Sequence, residues 1–350
     1  MEILLYIDGG PYMARFCIVH LSDLHIKSVD NELPEYGRLR DNLIKDLNDQ
    51  LEIHKLKLDV LVITGDIIDK GADLKKYEAA SLFLDKLKEN LKIEKEQIRI
   101  VPGNHDFDRH RIANSAVKSI RIQDNDDDIE IFRHNWDVSI KQKCRMYYDF
   151  LKDNLDINES VFSYGGSTYN FISSQGCINF IMLDSAWSSI GDEDYQNLII
   201  GKYQLEEVLL EYKKLPKADL TIAMMHHPVE WFKPEQGKML KSFLMSSDLF
   251  GTEILFHGHI HEAEIGVSGN PDGSLCTLVS GIGYPESGIK EKKLSNCRYV
   301  IYEFNTDQKA VKCFSRKSTN GGKFVADTEL YSTGRNTGIY EIDYDIKKKL

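Results

Sequence analysis

An α/β fold with parallel strands and crossover helices is predicted for this 350-residue chain, and three observations carry the prediction. Short apolar runs alternate with amphipathic helical periodicity through roughly the first hundred residues. Five polar blocks end apolar runs: Asp23-Leu24-His25, Gly65-Asp66-Ile67-Ile68-Asp69, Gly103-Asn104-His105-Asp106, His226-His227-Pro228 and Gly258-His259-Ile260-His261. Beyond residue 161 the rhythm changes to short β runs, which imply a second sheet.

Phe16 to Leu21 is a short apolar run ending at Ser22-Asp23, consistent with a buried strand. Residues 36 to 54 then place Leu39, Leu43, Leu47 and Leu51 on one helix face. Val60 to Ile63 repeats the strand, residues 74 to 91 repeat the helix with Tyr77, Leu84, Leu87 and Leu91, and Ile98 to Val101 is stopped by Pro102-Gly103. This βαβαβ order requires parallel strands. Loops at the carboxyl ends of such strands converge, and Asp23, Asp66 and Asn104 each sit just past one.

Residues 107 to 160 break the rhythm with Arg109, Arg111, the acidic stretch Asp124 to Glu130, and Trp136, Tyr147 and Tyr148; a mainly helical insertion is expected. Strands are then expected at Tyr169 to Ser173, Ile178 to Leu183, Leu220 to Met225 and Glu253 to Phe256, with a helix at about 203 to 214. Leu275 to Val279, Arg298 to Phe304 and Ala310 to Phe314 read as antiparallel strands with turns at Pro271-Asp272-Gly273 and Asn305-Thr306-Asp307. The blocks spread from residue 23 to 261, so a single domain over 14–330 must gather them, with an extension at 1–13 and an appendage at 331–350.

A composition of 42% hydrophobic and 28% charged residues excludes a disordered chain. The net charge of −11 gives no general attraction to nucleic acid or to an acidic membrane, although a local basic patch is compatible with it. Cys17, Cys144, Cys177, Cys276, Cys297 and Cys313 form no C-x-x-C pair and read as reduced core residues. No run approaches the roughly 18 to 20 apolar residues that span a bilayer. The opening Met1 to Ile7 is short, lacks a basic start and is followed by Asp8, so a cytoplasmic protein is expected.

The blocks together offer ligands for two metal ions. Paired cations held by Asp, His and Asn polarise phosphoryl oxygens and generate a nucleophile from water near neutral pH, which is phosphate ester chemistry. Adjacent side chains leave a strand in opposite directions, so His226 and His227 are not equivalent. His20 and His257 read as core or supporting residues, and His54, His110 and His134 as surface or helix residues.

At these blocks the chain resembles the calcineurin-like metallophosphoesterase superfamily: Val19 to His25 looks like its D-x-H motif, Thr64 to Asp69 like G-D-x-x-D, Val101 to Asp106 like G-N-H-D, His226-His227-Pro228 like its isolated histidine block, and Gly258 to His261 like G-H-x-H. The resemblance covers about residues 14 to 305 and implies a four-layer αββα sandwich of two mixed sheets flanked by helices. It implies one metal held by Asp23, His25 and His261, another by Asn104, His226 and His259, and Asp66 bridging them. His105 is the implied general acid with Asp69 as its partner, and His227 is a candidate substrate-binding or packing residue. Imidazole and carboxylate ligands favour Mn, Fe or Zn over Ca, and the weakly donating Asn104 tilts the choice toward Mn or Fe.

The expected substrate is a phosphoester, first a phosphodiester such as a cyclic nucleotide or another small diester. The implied mechanism is in-line attack by a hydroxide shared between the metals. Lys70 stands where the phosphoprotein phosphatases carry arginine, and Asp106 where they carry glutamate, which disfavours that branch. A metal-dependent SbcD-like nuclease acting on DNA or RNA is the alternative enzyme. A non-catalytic interaction module on the same scaffold is the third reading.

Overall fold

The computed structural model describes residues 14–31, 33–108, 111–123, 133–191, 194–271, 273–283, 294, 296–334 and 336–345. In chain order the elements are β1 (Arg15–Leu21), α1 (Pro34–Ile53), β2 (Val60–Thr64), α2 (Leu74–Leu91), β3 (Ile98–Val101), α3 (Arg111–Gln123), α4 (Lys141–Leu155), β4 (Ser167–Ser173) and β5 (Gly176–Met182). They continue with α5 (Lys202–Tyr212), β6 (Leu220–Met224), α6 (Pro234–Met245), β7 (Ile254–His257), β8 (Ala263–Gly269), β9 (Ser274–Ser280), β10 (Arg298–Asn305), β11 (Ala310–Ser318), β12 (Phe324–Ala326) and β13 (Ile339–Asp343).

Side-chain alternation along the strands assigns the layers. Phe16, Ile18, Val60, Val62 and Val101 face Ile178, Phe180, Ile222, Met224, Phe256 and Leu278 across an inter-sheet core. The opposite faces of β1 and β2, with Cys17, Val19, Leu21, Leu61 and Ile63, pack on α1, α2 and α4. On the second sheet Ile181, Ala223 and Leu255 pack on α5 and α6. Strands buried on both faces read as continuous apolar runs, which is why β1, β2 and β6 stand out in the sequence.

The seven-stranded sheet has the order β12-β11-β10-β1-β2-β3 with β13 also on β11, and the six-stranded sheet has the order β4-β5-β6-β7-β9-β8. Strands β1, β2 and β3 are parallel, as are β5, β6, β7 and β9. The expected αββα sandwich is therefore present, and each polar block follows the carboxyl end of β1, β2, β3, β6 or β7.

Several expectations are corrected. The Leu275–Val279 run, in β9, is parallel to β7 and antiparallel only to β8, whereas β10 and β11 extend the first sheet beside β1 rather than building the second. Residues 331–350 are not an appendage in their described part: β13 pairs with β11, and Tyr340 and Tyr344 are buried. The insertion is helical where described, with a π-helical turn at Trp136–Ile140 leading into α4. The extension at 1–13, Arg109, His110, the acidic stretch 124–130 and the terminal lysines lie outside the described residues.

One polar link ties α1 to the first sheet. Arg316 donates twice to Asp46, at 2.8 and 2.7 Å, and Tyr299 donates its hydroxyl to the same carboxylate at 2.6 Å. Removing one partner of a buried pair strands the other. Asp46→Ala is expected to destabilise the fold by about 3 kcal/mol, read as a lowered urea midpoint with unchanged metal content.

Candidate metal centre

Five of the proposed ligands occupy the left-handed backbone region: Asp23 (φ 53°), His25 (42°), Asp66 (51°), His259 (71°) and His261 (59°). Asp and His tolerate this region better than branched or bulky residues, yet each instance costs energy that surrounding structure must offset. Backbone pairing beyond the strand ends does so. Asp23 N–H donates to Gly65 O (3.0 Å), His25 N–H to Asp66 O (2.9 Å), Ile26 N–H to Ile67 O (2.9 Å) and Asp69 N–H to Ile26 O (3.0 Å). The first two loops thus remain laced together after β1 and β2 end.

Close approach also requires glycine at two points. A Cβ on Gly103 would lie 2.1 Å from Asp66 Oδ1, and one on Gly258 would lie 1.8 Å from Ser22 Oγ, next to Asp23. Both sites let a neighbouring loop press against a ligand carboxylate.

The side chains meet in one buried cluster. His261 Nε2 lies 3.2 Å from Asp23 Oδ1 and 3.4 Å from His25 Nε2. His226 Nε2 lies 3.3 Å from Asp66 Oδ2, 3.2 Å from Asn104 Oδ1 and 3.2 Å from His259 Nδ1. The ligand atoms of Asp23, Asp66 and His226 all lie within 4.8 Å of one another, which joins the two groups. All seven proposed ligands are therefore brought together, with Asp66 between the groups.

Burial and the carboxylates compete at each ligand histidine of this cluster. Burial alone would push His226 down, but Asp66 and Asp23 outweigh it and hold this imidazole up at about 9. Burial would raise Asp66, yet His226, His105 and His25 bring it well below the usual carboxylate range. Burial lowers His25 to about 4 and His259 to about 3, so these rings favour the neutral form that ligates metal.

The donor set fits divalent transition cations. Asp23 Oδ1 is buried with no hydrogen-bond partner among the described residues, although it faces the His261 ring. His226 Nδ1–H donates to Thr64 O at 2.7 Å, which leaves Nε2, facing Asn104 and Asp66, as the nitrogen that would ligate a cation on losing its proton. Two carboxylates, four imidazoles and one amide oxygen suit such ions better than calcium.

His105 stands over this cluster. Its Nε2 is 4.0 Å from Asp66 Oδ2, and its backbone N–H donates to Asp66 Oδ1 at 2.8 Å. Lys70 N–H donates to His105 Nδ1 at 3.2 Å, so a backbone amide contributes to the tautomer that a carboxylate was expected to set. Asp69 lies nearby, its carboxylate within 4.8 Å of ring nitrogens of His25 and His105. His227 is fully buried beside His226 and His259 and exchanges a hydrogen bond with Ser185 Oγ at 3.1 Å. His20 bonds Thr64 Oγ1 at 2.8 Å and packs on Phe256, a core role, while His257 is buried, His54 stacks on Phe314 and His134 is exposed.

Three supporting residues had no role assigned from the sequence. Ser185 Oγ accepts from His226 N–H (3.1 Å) and His227 N–H (3.0 Å), aligning the histidine block. Asp106, the last residue of its block, accepts from Ile68 N–H (3.1 Å) and Gly103 N–H (2.8 Å) and so clamps two loops together. Trp231 packs edge-to-face on His259, with ring centroids 4.0 Å apart. Only Asp106 could have been found from its spacing; Ser185 and Trp231 depend on long-range packing.

A family model described as calcineurin-like phosphoesterase matches residues 17–263. The chain is 23% identical to the metallophosphoesterase-like protein YydB of Bacillus subtilis (strain 168), covering 92% of this chain and 66% of that protein, slightly less than two thirds of its length. Among solved structures, GAP50, the anchor in the inner membrane complex of Plasmodium, is 13% identical with a TM-score of 0.44, covering 88% of this chain and 85% of that one. The sulfate thiohydrolase SoxB of Thermus thermophilus, in complex with glycerol, is 11% identical with a TM-score of 0.42, covering 85% of this chain and 54% of that one.

A methyl group at Gly103 has nowhere to go except into Asp66. Gly103→Ala is expected to retain the helical and β signature by circular dichroism while losing at least one of two bound metals, counted by elemental analysis; full metal content would remove the bridging role from Asp66.

Proposed function

We propose that this chain, which belongs to the calcineurin-like phosphoesterase family, directs its metal-dependent phosphoester hydrolysis at phosphodiesters, with a cyclic nucleotide or another small diester as substrate. The observation that carries the hydrolytic part of this reading is Asp66, which lies near both His226 and His105 in a cluster holding every expected ligand. Asp23, His25, Asp66 and His261 would hold one cation, and Asp66, Asn104, His226 and His259 the other. When bound, such a pair neutralises phosphoryl oxygens and supplies a nucleophile from water near neutral pH.

The residues supply the rest. With Nδ1 accepting from the Lys70 amide, the His105 proton resides on Nε2, on the side facing Asp66, where it can pass to a departing alkoxide. Asp69 adds negative potential beside His25 and His105. A diester carries one negative charge and an alkoxide leaving group of high basicity, so it needs this acid more than it needs an extra cationic grip. Position 70 offers an exposed lysine in place of the bidentate arginine that would favour a phosphomonoester dianion. The neutral Asn104 favours manganese or iron.

Turnover of bis(p-nitrophenyl) phosphate and of p-nitrophenyl phosphate, compared across Mn²⁺, Fe²⁺, Zn²⁺ and Mg²⁺, tests the reading. The diester is expected to be at least about tenfold better in kcat/KM with Mn²⁺ or Fe²⁺, a difference of about 1.4 kcal/mol; monoester preference overturns it, and cleavage of DNA or RNA alone would favour a nuclease.

Asp66→Ala is expected to abolish activity. His105→Ala, with both metals retained, is expected to lose about 10²–10⁴-fold on a diester with an alkoxide leaving group. The loss should be much smaller on a p-nitrophenyl ester, and equal losses would exclude the acid role.

A further inference from the structure

Beside the metal cluster lies a cavity of about 640 Å³, bounded by α6, the Val229–Trp231 turn and the outer face of β8 and β9. Pro228 of the histidine block and Ile260 of the final block, with His257 just before it, are among its lining residues, so it adjoins two ligand loops. Its origin is visible in the strand pattern. Ile265 and Val267 turn into the inter-sheet core, which leaves Glu264, Gly266 and Ser268 on the opposite face of β8. The ideal Cβ of Gly266 meets nothing within 4 Å, so the missing side chain is part of the space.

The lining combines apolar walls, Met245, Leu255 and Leu275, with Asn270 and Thr277 as polar groups. Trp231 borders both the cavity and the ligands: it lines the cavity and packs on His259. Tyr195, 56% exposed, stands edge-to-face on Trp231 at 5.5 Å. This aromatic pair is rigidly mounted. Leu198 N–H donates to Trp231 O, Lys233 N–H donates to Leu198 O, and Asp194 is locked by the buried Arg121 at 2.6 Å.

We propose that this cavity receives a planar aromatic group of the substrate, of nucleobase size, held against Trp231 while its phosphate lies at the metal cluster. This deepens the phosphodiesterase reading and rests on it. The volume falls within the range of about 300–1,000 Å³ typical of small-molecule pockets. The rim carries Glu230 and Glu264 against a single lysine, Lys241, which sits 3.4 Å from Glu230. A second phosphate would meet net negative charge there, so a monomeric nucleotide ester is favoured over a polymer.

The test uses the metal-loaded full chain and two probes that share a phosphate, adenosine 5′-monophosphate and methyl phosphate. Their Kd values are measured by calorimetry, and their competition with bis(p-nitrophenyl) phosphate is measured in parallel. The wild type is expected to bind the nucleotide about tenfold more tightly or better, the scale of one base stacked on an aromatic side chain. Gly266→Leu, which fills the cavity without touching a ligand, and Thr277→Leu, on the cavity wall, are each expected to erase most of that advantage. Methyl phosphate binding should stay unchanged in both. Adenosine 3′,5′-bisphosphate should bind more weakly than the monophosphate.

Equal affinities for the two probes in the wild type, or an undiminished advantage in Gly266→Leu with a native melting profile, would overturn the proposal and leave diester hydrolysis untouched. Absence of diester turnover with every metal would remove the hydrolytic reading, while the calorimetric comparison would still decide the cavity.

Discussion

The structure depends on hydrogen bonding that continues past the ends of the strands. Asp23, His25 and Asp66 hold left-handed backbone conformations because their loops stay paired, amide to carbonyl, after β1 and β2 have ended. Left-handed non-glycine residues cost roughly 1–3 kcal/mol each, so a flexible loop would relax out of them. Gly65 and Gly103 allow the third loop to approach, and Asp106 stitches it to the second. A bend at each strand end turns the side chains away from the sheet and toward a common point.

The helical insertion contributes to this geometry from a distance. Lys143 on α4 is buried and donates to the carbonyls of Trp187 (2.8 Å) and Ser189 (2.6 Å), while Arg121 on α3 pairs with Asp194. These contacts hold the segment after β5, whose Ser185 aligns the backbone of His226 and His227. A buried lysine saturated by carbonyl oxygens is stable because its desolvation is answered by hydrogen bonds, and it makes the loop rigid in return. The insertion thus acts as a brace for the histidine block.

Much of this was legible in the sequence. Strands β1, β2, β3, β6 and β7 are apolar runs ended by polar blocks, and periodicity and chemistry agree at the same residues. Helix α1 follows from leucines four apart, and α2 from apolar residues spaced seven, three and four. What remained hidden depended on partners distant in sequence. Helix α6 begins at Pro234 and carries Gln236 and Gly237 in its buried face, which masks its amphipathic pattern. Strand β8 is diluted by Gly266 and Gly269, and β13 is five residues beside a lysine-rich end. The membership of β10 and β11 in the first sheet is a choice of neighbour that no local pattern encodes. Ser185, Lys143 and Trp231 act through tertiary contacts, so neither spacing nor residue type announces them.

The two strands that share the flank of β11 have a further effect. β12 pairs at Arg316–Ser318 and β13 at Ala310–Phe314, so the outer rim of that strand is closed along most of its length. On β8, Tyr331 uses its hydroxyl to accept from the Ile265 amide (2.7 Å) and donate to the Ile265 carbonyl (3.2 Å), quenching one rung of that border. Strand β4 borders the six-stranded sheet at the other end, and Ile172 there is 71% exposed. An exposed branched side chain on a border strand favours intermolecular β addition, so this flank is one place where concentrated protein can self-associate.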